Sequence, residues 1–109
     1  MPSDQLTNPT VKTAIEALDR GDQATWKALF TPDAKMFDDG SPRNLAQFSE
    51  SAVGHERFTK IERVENNGCD VYGQFHSDQW GDFRTCFKFQ LTTDNKIKRL
   101  DIGQAQRNV

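Results

Sequence analysis

Few groups in this chain could move a proton near neutral pH, and they are scattered. Two histidines accompany sixteen acidic and fourteen basic residues. His76 lies four positions beyond Tyr72, the single tyrosine, in a stretch that alternates as a strand does. A phenol donor and an imidazole base therefore fall on one face. A partly exposed aromatic face with a titrating histidine explains the same pattern. Asp38 and Asp39 follow Phe37 and lead into Gly40, where turn chemistry alone accounts for two aspartates. His55-Glu56 follows Gly54. Asp101 alternates with Leu100 and Ile102, so it and Arg99 are expected to point away from the apolar face. There they would meet Arg84 and Lys88 of the preceding strand as cross-strand charge pairs. Serine–histidine–aspartate arrangements, glycine-rich phosphate loops and metal-ligand spacings are missing, so no metal and no cofactor is implied. Cys69 and Cys86 lack a CxxC pattern and nearby paired histidines, and read as two reduced thiols in or near a sheet.

The elements that must position these groups are legible from periodicity. Asn8-Pro9 is a helix entrance, with Asn as N-cap and Pro at the first helical position. Val11, Ala14, Ile15 and Leu18 form one apolar stripe, and Gly21 ends the helix after Arg20. Asp22 caps a second helix whose Trp26, Leu29 and Phe30 share a face, and Thr31-Pro32 stops it. Ala34 to Phe37 reads as a short strand, followed by a turn over Asp38 to Pro42. Asn44 caps a third helix running to about Ala52. Phe58 to Glu65 reads as a bulged strand, because its apolar residues are spaced by three rather than two. Asn66-Asn67-Gly68 then turns the chain into Cys69 to His76, an alternating strand. Gly81 to Gln104 is one long hairpin. Phe83, Phe87, Phe89 and Leu91 mark the buried face of its first arm, Thr92 to Lys96 turn, and Ile97 to Ile102 return. Helices gathered ahead of strands joined by short turns predict an α+β domain, with helices on one face of an antiparallel sheet.

Composition narrows the partners. The formal net charge is −2, and the 28% of charged residues mix both signs, so nucleic acid is not an expected partner. The longest apolar run, Ala28-Leu29-Phe30, is far too short for a membrane span or a signal-peptide core, and a cytoplasmic protein is expected. The chain suits one domain, read as residues 9–105, between a flexible N-terminus of 1–8 and a tail of 106–109. Eight phenylalanines, two tryptophans and one tyrosine are many rings for 109 residues. Such a surplus fills a core or lines a pocket for an apolar ligand.

Several stretches together carry a resemblance to a known family. They are the capped helix pair, the strand ending in Asp38-Asp39-Gly40, Val71 to Phe75, Trp80 to Arg84, Phe87-Lys88-Phe89 and the closing Asp94 to Gln104. Over roughly residues 9 to 105 the chain resembles the nuclear transport factor 2-like superfamily, and within it small bacterial SnoaL-like proteins. The resemblance implies a cone-shaped α+β barrel, a strongly curved antiparallel sheet wrapped over N-terminal helices with a pocket at its open end. It also implies a homodimer through the convex sheet face. Enzymes of that family move protons with a carboxylate in an apolar pocket, which implies Asp38 or Asp101 as proton carrier; His76, from the strand pattern above, is the third candidate. Trp26, Phe30, Phe48, Phe58, Tyr72, Phe87 and Phe89 are the implied pocket residues, around a small apolar molecule. The activity implied is cofactor-free isomerase, cyclase or dehydratase chemistry; a non-catalytic ligand-binding or dimeric interaction module fits the same family. Ketosteroid isomerases keep a donor tyrosine on the first helix. Here that helix has none, which disfavours an isomerase of that type.

Overall fold

The computed structural model describes residues 6 to 104, with the side chain of Gln104 left aside. In chain order the elements are α1 (Pro9–Arg20), α2 (Gln23–Ala28), β1 (Phe30–Asp38), β2 (Ser41–Arg43), α3 (Leu45–Ala52), β3 (Glu56–Glu65), β4 (Asp70–Ser77), β5 (Gly81–Leu91) and β6 (Ile97–Gln104). Asn8 caps α1 by accepting from the amides of Thr10 and Val11, and Gly21 closes it in the left-handed conformation. Asp22 and Asn44 cap α2 and α3 in the same way. The residues expected as termini lie mostly outside the described region, but Leu6 is only 6% exposed and packs into the core. Packing therefore begins ahead of residue 9.

Six strands form one sheet in the order β2-β1-β6-β5-β4-β3. From β3 to β6 the strands form an antiparallel meander, as the short turns require. The expectation of a wholly antiparallel sheet needs one correction: β1 runs parallel to β6, so the sheet is mixed. Short turns constrain only neighbours in sequence, and β1 reaches β6 after β2, α3 and three strands have intervened. Two further differences concern β1. It begins at Phe30, earlier than the predicted Ala34, and Leu29 already closes α2. Pro32 sits where the β1–β6 register shifts, between Phe30 and Lys35, a break that accommodates a residue with no amide hydrogen. The predicted turn over Asp38 to Pro42 is tighter than expected. Asp39 and Gly40 alone turn, both at positive φ, and Ser41 to Arg43 pair back onto β1.

The sheet curves over the helices because β3 carries two register shifts, between Phe58 and Lys60 and between Ile61 and Arg63. Gly73 sits opposite them on β4. A Cβ there would lie 2.1 Å from the carbonyl oxygen of Lys60, so only glycine allows the strands this close at the bend. The concave face is filled where the helices lie. Trp26, Leu18, Ile61, Val71, Phe89, Ile97 and Leu100 are fully or almost fully buried, and the Trp26 indole donates to the Ser49 hydroxyl at 2.8 Å.

Candidate functional site

Towards the ends of the strands away from this filled region, the concave face stays open. A cavity of about 560 Å³ is lined by Phe48 of α3, Phe75 of β4, and Phe83, Thr85 and Phe87 of β5, with Ile102 and Gly103 of β6. Its charged lining is Asp38, Asp39, Arg43, Glu56 and Asp82, and Trp80, 70% exposed, belongs to its rim. Strand alternation explains the membership. Phe83, Thr85 and Phe87 share the inward face of β5, and Phe75 is the cross-strand partner of Phe83. Met36 and Asp38 share a face of β1, and Arg43 is the partner of Met36 on β2. Asp38 therefore points inward at the open end. It receives a 2.8 Å ion pair from Arg43, whose guanidinium lies 5.2 Å from the Phe48 ring centre.

Glu56 is the carboxylate that this geometry singles out. It is half-buried, and that burial holds its carboxyl above the usual carboxylate range, reinforced by the nearby charges of Asp38 and Asp78. The Ser77 hydroxyl, donating to Oε2 at 3.1 Å, and the charge of Arg43 pull the other way but do not prevail. The chain presents Glu56 here because of how α1 and α3 end. Gly54 follows α3 at positive φ, and its amide donates to Leu18 O of α1 at 2.9 Å. A Cβ on Gly54 would come within 3.1 Å of Gly21 Cα, so the two helix exits dock backbone to backbone. β3 must then start at Glu56, opposite Ser77. A second, more open hollow of about 340 Å³ also touches Glu56, together with Glu50, Ser51, His55, Ser77, Asp78 and Gln79.

The residues singled out from sequence are brought together only in part. Asp38, Phe48 and Phe87 line the cavity. Asp101 does not: it lies beside Arg99, which grips both its oxygens at 2.8 and 3.1 Å, while the Arg99 guanidinium sits 4.1 Å from the Phe37 ring centre. The partner is its neighbour on β6 rather than the expected Arg84, which pairs with Glu62, although Lys88 does stand opposite Asp101 in register. His76 is likewise outside the cavity. Its ring nitrogens lie 2.6 Å from Asp82 and 2.9 Å from Asp78, and those two hydrogen bonds push its imidazole above the usual histidine range. Tyr72 is apart from His76, under the Arg63 guanidinium at 4.2 Å, and burial raises its phenol. Trp26, Phe58 and Phe89 belong to the filled core, with Phe30 packed against it 5.0 Å from Trp26. Sequence reasoning noted Glu56 beside His55 without giving it a role, and passed over Phe75, Phe83 and Trp80 as site residues. One signal for Glu56 was available, since it precedes Phe58 by one strand period and must share its inward face. Among the described residues no cluster has the make-up of a metal site, and no described helix is long and apolar enough to cross a membrane.

Comparison with known proteins speaks to the fold. Neither a protein-family model nor a curated protein matches the chain. Solved structures do. The orange carotenoid protein of an Anabaena (Nostoc) species, solved binding canthaxanthin, matches at a TM-score of 0.75 and 17% identity over 94% of this chain and 37% of its own. The chain thus spans little more than a third of the length of that protein. The same holds for its Fremyella diplosiphon counterpart, 36% of which is covered. A nuclear transport factor 2-like protein of unknown function from Cytophaga hutchinsonii matches at 0.72 and 14% identity over 94% of both chains. SalBIII, an epoxide hydrolase/cyclase-like enzyme of pyran ring formation in the polyether salinomycin, matches at 0.66 and 15% identity over 88% of both chains. The chain has the nuclear transport factor 2-like, or cystatin-like, α+β fold, as the sequence resemblance implied.

Proposed function

We propose that this protein holds a small apolar molecule in the cavity and exchanges a proton with it through Glu56, without a cofactor. The observation that carries this reading is one half-buried glutamate, held towards its neutral form, in a cavity whose apolar wall is built largely of five aromatic rings. A carboxyl poised closer to neutrality gives and takes protons efficiently, which suits isomerase, cyclase or dehydratase steps on a carbonyl compound. The likeness to an epoxide hydrolase/cyclase-like enzyme and to a carotenoid-binding protein is consistent with a pocket for apolar molecules. Four carboxylates against one guanidinium disfavour anionic ligands, so the molecule should be neutral or cationic. Asp38, paired with Arg43 in the same cavity, would orient a polar end of the ligand rather than carry the proton.

The test is hydrogen–deuterium exchange at the α-carbon of a panel of mono- and bicyclic ketones, followed by NMR with intact protein. The wild type should accelerate exchange for at least one ketone, and Glu56→Gln should lose about a hundredfold or more of that rate. Equal rates for the two proteins across the panel would sink the reading. A second reading, a binding module without chemistry, draws on the rings Phe48, Phe75, Phe83 and Phe87 and on the carotenoid-binding likeness. It requires that a neutral apolar dye bind wild type and Glu56→Gln alike while no ketone exchanges.

A homodimer through the convex face belongs to the same proposal, since that face carries Arg63 over Tyr72 and Arg99 over Phe37. Sedimentation at micromolar concentration should give twice the chain mass; a monomer would remove it. Two free cysteines suit a cytoplasmic location, which recovery of the protein from a secreted fraction would contradict.

A further inference from the structure

The Ser77 side chain is 1% exposed, yet three hydrogen bonds converge on its single hydroxyl. The amides of Gln79 and Trp80 donate to its oxygen at 3.2 and 3.1 Å. The hydroxyl itself donates to Oε2 of Glu56 at 3.1 Å. A serine hydroxyl ordinarily rotates to suit its surroundings, because it has one hydrogen and two acceptor sites. Here both acceptor sites are taken by backbone amides, so the one hydrogen has a single place to go. Ser77 is an obligate donor to Glu56.

We propose that Ser77 is the positioning residue of this site: by holding Oε2 it reserves Oε1 of Glu56 for proton exchange, and it couples the carboxyl to the Trp80 turn at the cavity rim. The proposal rests on the reading of Glu56 as proton carrier and adds which oxygen works and what it moves. Coupling follows from charge. A hydroxyl binds a carboxylate more tightly than a carboxylic acid, so ionised Glu56 pulls on the Ser77 hydrogen. The more polarised oxygen then holds the amides of Gln79 and Trp80 more strongly. When Glu56 takes up a proton, that chain slackens at the turn bearing the exposed Trp80. A rim that loosens as the cavity acid is protonated would admit or release a ligand in step with chemistry.

Other charges face Glu56 and set the background. Arg43 of β2 favours its ionised form, while Asp38 of β1 and Asp78 of the turn oppose it. Asp39 and Asp82 line the same cavity, and Glu50 and His55 share the outer hollow. His76, between Asp78 and Asp82, titrates close to the turn as well. The experiment must therefore separate Glu56 from these.

The experiment is a carbon-detected NMR titration of Glu56, with the amides of Gln79 and Trp80 followed in parallel, on intact wild type, Ser77→Ala, Ser77→Cys and Glu56→Gln. In the wild type both amides should shift with the midpoint of the Glu56 carboxyl. Glu56→Gln should remove that inflection and leave any due to His76. Ser77→Ala should raise the Glu56 midpoint, uncouple the amides and slow ketone exchange about tenfold. Ser77→Cys, which keeps a weak donor of similar shape, should fall between the two. An unchanged Glu56 midpoint in Ser77→Ala, or amides that ignore Glu56 in the wild type, overturns the role of Ser77. An ordinary glutamate midpoint in the wild type instead overturns the reading of Glu56 itself, so the two failures are distinguishable.

Discussion

The filled and the hollow ends of one concave sheet face use the same residue type for opposite ends. Phe58 and Phe89 are buried in the core, while Phe83, on the same inward rows, is half-exposed to the cavity. Phe75 and Phe87 belong to both, with ring centres 5.3 Å apart and Phe58 within 5.1 Å of each. The difference is what lies above the ring. Over Phe89 the helices close the face; over Phe83 there is only the cavity and its rim. A phenylalanine stabilises the fold where protein atoms surround it, and offers unspent apolar surface where they do not. The filled end makes the domain stable, and the hollow end is where a ligand, as proposed, would gain by binding.

The widest separation between the two ends should appear on truncating a ring in each. Trp26→Ala, at the filled end, is expected to cost about 4 kcal/mol in denaturant unfolding. Phe83→Ala should cost about 1 kcal/mol yet weaken binding of a neutral apolar dye. Equal costs would erase the distinction. Next comes the bend that makes a hollow possible at all. Gly73→Ala should lose about 3 kcal/mol, because the new Cβ meets the Lys60 carbonyl and one strand must move away. A stable, unaltered Gly73→Ala protein would show that the curvature does not depend on that contact.

The hollow end should also discriminate by charge. A neutral dye such as Nile red is expected to bind about tenfold more tightly than an anionic anilinonaphthalene sulfonate at low salt. The gap should close as salt is added, and a preference for the anion would show that Arg43 governs the cavity. Smaller still is the stability effect of Glu56. Its folded value lies above its unfolded one, so its contribution is full below the ordinary glutamate range and is lost as pH rises through the folded value. Glu56→Gln, which never ionises, should therefore be slightly more stable than wild type at pH 7 and equal to it near pH 3; a loss at pH 7 would contradict its desolvation. The least effect belongs to His76, half-buried between two aspartates. Its value is also raised, so what it contributes is complete below about 6.5 and disappears as pH rises through the folded value. His76→Gln should lower the unfolding temperature slightly at pH 6 and not at pH 9, with added salt removing the difference.

Alternation along β4, β5 and β6 and the capped stripe of α1 were readable in the chain, because each depends on residues a few positions apart. Asn8, Gly21, Asp22 and Asn44 do in the structure what their chemistry suggests. The same local logic indicated that Leu100 and Ile102 would take the apolar face and Asp101 the other, and Asp101 lies outside the cavity. It misled at Pro32: the helix expected to run up to Thr31 ends at Ala28, and Pro32 lies inside a strand that starts at Phe30 and breaks register there.

The sequence by itself determined which residues of each element face inward, since the strand and helix periods are properties of the backbone. It also supplied eleven rings, enough to fill a core or to line a pocket, without deciding between the two. Only the tertiary structure decided that β1 would lie parallel to β6, that α3 would leave the strand ends uncovered, and that β3 would begin two residues early at Glu56. Those outcomes depend on closing long loops and docking Gly54 onto Gly21, contacts between residues far apart in the chain. A carboxyl's depth of burial is set by such contacts, and so Glu56, the proposed proton carrier, emerged only with the fold.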